Sequence, residues 1–396
     1  MEWIAIGIAI GVLTGLVPGL HVNTLAAIAL ATVPLDMDVA LALVAVGTVH
    51  TIVSILPAAY LGLPGEDTAI ASLPAHQLVA DGRGPLAIRI SVAASTWAMV
   101  AVVLALLPVK WLLAAPLHGG DLLTAATPWI LAGVLALLLW QEPRPAVPVI
   151  MLLAGALGWL ARDWPTSNPW HVPASPLLPL LTGLFAAPTL WVATGHGVPP
   201  QRAGGGGRHG RQVMAGVTVA AMTSVLPGLT AAVATAMAGS RLDDPRKVLA
   251  TLSSVNTAHH GFALAMLWIV GSTRSGLADA IRPALPIASW DGPIPGGLHA
   301  IMLVALAATV FGAIATLAME PLMRKVVQVV PARPLHLGAL LGLVLLVLTL
   351  TGIWGLVLFA GATAVGMLPL CYRVRRVHLA ACLIVPILVG PWLPRA

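Results

Sequence analysis

The stretch Val17-Pro18-Gly19-Leu20-His21-Val22-Asn23-Thr24 interrupts an apolar run with residues that a buried helix does not ordinarily carry. A close echo stands in the second half of the chain, Val225-Leu226-Pro227-Gly228-Leu229-Thr230. Proline removes a backbone donor and glycine disfavours the helix interior, so each copy predicts a break between two apolar arms. Broken helices at membrane depth persist only where protein or a water-filled cavity satisfies the freed backbone groups. A matched pair of breaks in the two halves of one chain points to a transporter binding site.

Working outward, the 396 residues are 59% hydrophobic and 9% charged, with a mean hydropathy of +0.96. A soluble domain carries about 25% charged residues, so this chain cannot cover a water-facing surface. The expectation is an all-α polytopic protein of the cell (plasma) membrane, with the lipid bilayer as its first partner. A transmembrane barrel needs short alternating segments, whereas these runs are continuously apolar. The net charge of +6 sits in short loops, as the positive-inside rule expects, and does not indicate nucleic acid. Cys371 and Cys382 lie in apolar surroundings and are expected to pack as small apolar residues, with no disulfide framework or zinc motif. No removed signal peptide is expected, since a basic n-region and a cleavage site are both missing.

Each arm around Pro18-Gly19 has roughly 15 residues, short of the roughly 20 needed to span, so residues 1–34 read as a re-entrant hairpin. Spans are expected at 39–63, 88–107, 122–140, 146–161 and 175–194, with a polar loop through Glu66, Asp67, Asp81 and Arg83. Residues 195–212 form a basic, Gly-rich flexible linker that includes Arg202, Arg208, His209 and Arg211. A second hairpin follows at 213–240, then spans at 248–270, 298–319, 334–350, 354–369 and 377–391. The basic groups at 202–211, 241–247, 324–325 and 373–376 all fall on one side only if the second hairpin enters and leaves from the cytoplasm. The same count puts the first hairpin on the opposite side and both termini outside. The domains are therefore a first repeat at 1–194, a linker at 195–212 and an inverted second repeat at 213–396, each repeat a hairpin plus about five spans.

A second correspondence supports duplication. Val49-His50-Thr51 matches Val255-Asn256-Thr257, and a glycine follows each threonine at the same distance, Gly65 and Gly271. The first glycine leads into Glu66-Asp67-Thr68, the second into Ser272-Thr273-Arg274-Ser275. Duplication with inversion is the architecture that permits alternating access.

In this order the motifs Pro-Gly-Leu-His-Val-Asn-Thr, Gly-Glu-Asp-Thr with Asp81-Gly82-Arg83-Gly84, and Val255-Asn256-Thr257 with Thr273-Arg274-Ser275-Gly276 resemble the large membrane subunit (TctA type, DUF112) of tripartite tricarboxylate transporters. The chain is most similar to the stand-alone archaeal branch. The resemblance is clearest over about residues 10–100 and 213–285. It implies secondary, ion-driven uptake of small carboxylates, in concert with a small membrane subunit and a periplasmic binding protein that this chain does not encode. His21 and Asn23 depart from the more glycine-rich segment of the tricarboxylate branch, which leaves the substrate open.

A half-helix N-terminus offers unsatisfied amides and partial positive charge, which suits an anion. Two inverted hairpins would aim two such ends at the midplane. Gly19 and Gly228 allow close backbone approach; Asn23, Thr24 and Thr230 can donate to a carboxylate or expose carbonyls to a cation. Thr51, Asn256 and Thr257 complete the expected substrate shell, and His21 can bind an anion or carry a proton. The alternative is that the tips are structural breaks held by neighbouring helices. His50, Glu66 and Asp67 are candidates for coupling to Na+ or H+, and Arg274 for an anion clamp, against helix capping and pairing with Arg83 as the plainer roles. His259 and His260 lie in a span, while His209 and His378 sit among basic residues and are expected to be solvated. No cofactor or metal site is expected, and a homodimer is left open. The function expected is secondary transport of a small organic anion rather than catalysis, since the His-Glu-x-x-His and Gly-x-Gly-Asp patterns of intramembrane proteases are missing. The rival readings are translocation of a lipid-linked (polyprenyl) phosphate and, further off, an intramembrane enzyme.

Overall fold

Apolar length and the positions of Pro and Gly decide where helices start and stop. A computed structural model describes residues 2–17, 22–62, 72–168, 175–193, 199–202, 204, 207–226, 244–273, 275–287 and 290–390. Among them every regular element is helical. The first half contains α1 (Glu2–Leu16), α2 (Val22–Thr32), α3 (Met37–Val53), α4 (Ile55–Tyr60), α5 (Ser72–Ala80), α6 (Gly84–Leu113), α7 (Gly119–Gln141) and α8 (Ala146–Ala161). It closes with α9 (Leu177–Leu181), a π-helical turn at Thr182–Ala186, and α10 (Ala187–Ala193). The second half contains α11 (Gly210–Thr223), α12 (Pro245–Ile269), α13 (Gly276–Ile281), α14 (Gly296–Val329), α15 (Ala332–Cys371) and α16 (Ala381–Val389), the last preceded by a 3-10 turn at Arg376–Ala380.

Among the described residues five segments are long and apolar enough to cross a bilayer: Met37–Tyr60, Gly84–Leu113, Gly119–Gln141, Gly296–Val329 and Arg333–Cys371. Three of the expected spans emerge as shorter apolar helices, Ala146–Ala161, Leu177–Val192 and Arg376–Val389. The stretch expected as one polar loop holds α5, which packs on α4 and α6. The arms flanking Pro18-Gly19 have 15 and 11 residues.

The two spans expected at 334–350 and 354–369 form one 40-residue element broken at Gly352, whose φ of 72° is left-handed. A straight helix of that length would measure about 60 Å, twice the hydrocarbon thickness. Carbonyls freed at the break are satisfied from the segment after α8. Ser167 N donates to Thr351 O (3.3 Å), Asn168 Nδ2 to Leu350 O (2.9 Å) and Trp164 Nε1 to Trp354 O (2.8 Å). Irregular backbone at depth requires this kind of cover.

Two apolar cores organise the packing. The larger is built on α3, α4, α6, α12 and α14, and the smaller on α7, α8, α9, α16 and the second arm of α15. In the first core α1 lies on α3 and α11 on α12, while α6 packs on α12 and α14 on α3. In the second, α8 packs on α16, and α9 and α10 pack on α15. Small residues allow the closest approach; Gly7, Gly11 and Gly15 of α1 face Ala42, Val46 and Val53 of α3.

Polar clamps fix the rim. Gln201 Oε1 accepts from Gly84 N (2.7 Å), its Nε2 donates to Val79 O (2.9 Å), and Arg202 N donates to Gly82 O (2.7 Å). These residues, expected in a flexible linker, are held on the turn between α5 and α6. Glu142, at the end of α7, accepts from Arg375 N (3.0 Å) and His378 Nε2 (2.9 Å). Burial alone would raise the Glu142 carboxyl, but the hydrogen bonds from Arg375 and His378 win and hold it below its ordinary value. His378 is fully buried rather than solvated, because the 3-10 turn points its ring inward to Glu142. Cys382 is buried as expected, whereas Cys371 is exposed at the end of α15.

Candidate functional site

The polar-Thr pairs of the two halves lie on α3 and α12, and these helices meet in the larger core. Gly47 marks the closest convergence. A Cβ there would lie 2.8 Å from His260 Cε1 on α12, 2.6 Å from Leu277 Cδ2 on α13 and 3.2 Å from Val22 Cγ1 at the start of α2. Four helices therefore converge here, and a side chain at Gly47 would press on three neighbouring side chains. One residue on, Thr48 Oγ1 and His260 Nε2 are 3.2 Å apart and tie the two spans together. Because α2 begins at Val22, Asn23 and Thr24 stand in its first turn, and its free amides start beside this crossing.

His50 is buried, with its Nδ1 3.3 Å from Thr14 Oγ1, so the ring joins α3 to the last turn of α1. Thr51 is half-buried and donates to Gly47 O (2.8 Å), the usual satisfaction of a helical threonine. On α12, Ser253 Oγ donates to Ser91 Oγ (2.8 Å), and Ser253 O accepts from Ser95 Oγ (3.4 Å). Thr257, one turn further along, is 1% exposed and its Oγ1 has no partner. Thr48, Thr51, Thr251, Thr309 and Thr316 all bond the carbonyl four residues back; Thr257 does not. An unsatisfied buried hydroxyl costs about 1–3 kcal/mol. Asn256 beside it is half-buried. His50 and Thr51 on α3 and Asn256 and Thr257 on α12 thus stand on two helices that meet, with hydroxyl, amide and imidazole groups and no carboxylate among them.

Gly19, His21, Glu66, Asp67, Gly228, Thr230 and Arg274 lie outside the described residues, and of Asn23 and Thr24 only the helical backbone is described. The described approach to Pro227 ends in a small polar cavity of about 90 Å³, lined by Asp121, Thr124, Ser224 and Ser272 among others. Among the described residues no three His, Cys, Asp or Glu side chains come together in a way that could hold a metal ion.

Two features escaped the sequence reading. Thr14 and Thr223 stand four residues before Pro18 and Pro227, and each hydroxyl donates to the carbonyl three residues back, Gly11 O and Ala220 O, at 3.3 Å. Extending the Pro-Gly comparison upstream, Thr14-Gly15-Leu16-Val17 against Thr223-Ser224-Val225-Leu226, would have found them. The second is Glu320, a buried carboxylate inside α14. Tyr60 OH donates to its Oε1, and Arg324 Nε lies 3.4 Å from the same oxygen. The expected span stopped one residue short of Glu320, whereas α14 runs to Val329.

Comparison with known proteins adds the family. The model of the tripartite tricarboxylate transporter TctA family matches residues 1–381. An uncharacterized protein of Methanocaldococcus jannaschii is 34% identical over 85 residues, a match covering 21% of each chain. No solved structure matches.

Proposed function

The chain belongs to the tripartite tricarboxylate transporter TctA family, and from that premise we propose that it takes up a small organic anion, a carboxylate, by ion-coupled alternating access. Family and helices together make it an integral membrane component of tricarboxylate transport, and a transport protein rather than an enzyme. The finer reading is two inverted repeats, 1–194 and 213–396, each opening with a re-entrant hairpin, with both termini outside. The observation that carries it is the exchange of partners in the larger core. The first half's α6 packs on the second half's α12, while the second half's α14 packs on the first half's α3. An arrangement in which each half supplies the span that the other half leans on suits rocking about a central site.

In this reading the anion sits where α2 begins, beside the α3–α12 crossing. Amides of the first α2 turn face its charge, and Thr257 Oγ1, which no protein group engages, donates to it. A hydrogen bond to a charged group contributes about 1.5–3 kcal/mol toward holding the carboxylate. Na+ or H+ couples through His50, Glu66 or Asp67, with Arg274 as the anion clamp. A small membrane subunit, a binding protein and a second copy of the chain are the partners proposed.

Thermal unfolding of the purified protein with di- and tricarboxylates, in sodium or in choline salts, tests this. At a ligand concentration of 100 times Kd, binding adds about 2.7 kcal/mol; a carboxylate should therefore raise Tm by several degrees, more so in the presence of the coupling ion. Asn256→Ala should shrink that shift. The proposal fails if no carboxylate moves Tm between pH 5 and 8 in either salt.

A further inference from the structure

Away from the α3–α12 crossing, α6 and the start of α11 enclose a groove of about 720 Å³. Its α6 wall is one stripe at helical spacing, from Arg89 through Trp97 to Leu104. Trp97 is 64% and Leu104 76% exposed, so on a membrane-spanning helix the stripe faces the hydrocarbon. Small residues, Ala93 and Ala101 on α6 and Gly210 on α11, keep the groove open. The sixteen residues from Arg89 to Leu104 cover about 22 Å of helix, more than the ~15 Å half-thickness of the hydrocarbon. The groove is therefore as long as one leaflet with its headgroup layer.

One end is built for an anion. Arg89 and Arg208 both line the groove and are exposed, and among the described residues no carboxylate lines it. The 14-residue α11 starts here, capped by no side chain, so its first amides and dipole add partial positive charge. His209 also lines this end, and its Nε2 is buried without a partner. Burial keeps the His209 ring below its ordinary pKa, so it acts as a neutral hydrogen-bonding group near pH 7. Asp244, the carboxylate that acts on His209, is engaged by Arg246 at 3.1 Å.

We infer that this groove is a binding site for an anionic phospholipid, with the headgroup phosphate between Arg89, Arg208 and the N-terminus of α11 and an acyl chain along Trp97 and Leu104. The occupant is a membrane phospholipid rather than a soluble anion, because the apolar wall opens sideways to lipid, and basic pockets between transmembrane helices suit such headgroups.

The test is native mass spectrometry of the detergent-solubilised protein with phosphatidylglycerol and phosphatidylcholine of identical acyl chains. Wild type should retain phosphatidylglycerol about thirtyfold over phosphatidylcholine, as expected for two arginines near the membrane surface. Arg89→Gln with Arg208→Gln should bring that ratio near one. Ala93→Leu with Ala101→Leu, which fills the groove and leaves both arginines in place, should lose both lipids. Inorganic phosphate should not displace the phosphatidylglycerol. Equal retention of the two lipids by wild type, a preference that survives both double variants, or displacement by inorganic phosphate alone would overturn the inference.

Discussion

The two apolar cores differ in what they bury. The larger core takes Thr48, His50, Ser91, Ser95, Ser253, Ser254 and Thr257 into helix crossings near its middle. The smaller one is leucine, valine and alanine over most of its extent, and its polar contacts, Glu142 with Arg375 and His378, stand at the rim. Helix exposure follows the same division. The most apolar window of Met37–Tyr60 is 83% buried, against 22% for that of Gly119–Gln141. Dispersion and close packing hold the second core together. The first also carries polar groups whose presence in a dry interior is costly unless they do something. The difference makes the proposed site breakable: substitutions in the smaller core should act on stability, and substitutions at the α3–α12 crossing on transport.

The largest effect should come from Gly158→Leu on α8. Any side chain there meets the carbonyl carbon and oxygen of Cys382 on the neighbouring turn, and backbone cannot yield as a side chain can. Overpacking of this kind should cost about 3 kcal/mol, visible as a Tm drop and poor recovery from membranes, with transport per folded molecule unchanged. If uptake by the folded fraction also falls, the smaller core is more than a scaffold.

A middling loss is expected from Tyr60→Phe, which leaves Glu320 with Arg324 alone. A hydrogen bond to a buried charged group contributes about 2 kcal/mol, so Tm should fall by several degrees. Tyr60→Phe combined with Glu320→Gln should lose less than the two single changes summed. Additive losses would mean that the Tyr60–Glu320 contact does not couple α4 to α14.

The smallest effect should come from Glu142→Gln at the rim of the second core, about 1 kcal/mol or less, since Arg144 and Arg375 are substantially solvated. It carries a pH signature. The folded carboxyl lies below its ordinary value of 4.5, so its contribution is full above about pH 4.5 and is lost as the pH falls through the lower folded value. Wild type and Glu142→Gln should differ at pH 7 and converge in acid; a gap that widens in acid would reverse the assignment.

Much of this was legible in the sequence. The break near Gly352 announces itself because glycine interrupts a run whose length the bilayer dictates. That the polar-Thr pairs would fall on helices was legible from a local repeat. What could not be read were contacts between residues far apart in the chain. Glu320 finds Tyr60 across 260 positions, and His378 looked solvated beside Arg375 and Arg376 until Glu142, 236 positions away, received it. Gln201 looked like part of a loose linker because the partners that hold it on the turn before α6, Val79 and Gly84, are far away in sequence. The exchange of α6 and α14 between halves is likewise a property of packing that no single helix reveals.

The central claim is that the α3–α12 crossing is the transport site, and Thr257→Val tests it most directly. Valine keeps the shape and removes the partnerless hydroxyl, so the empty protein should be as stable as wild type or up to about 1 kcal/mol more stable. Carboxylate uptake into proteoliposomes should fall about tenfold, as loss of one hydrogen bond to an anion predicts. A Thr257→Val protein with a lowered Tm and wild-type uptake would contradict the account.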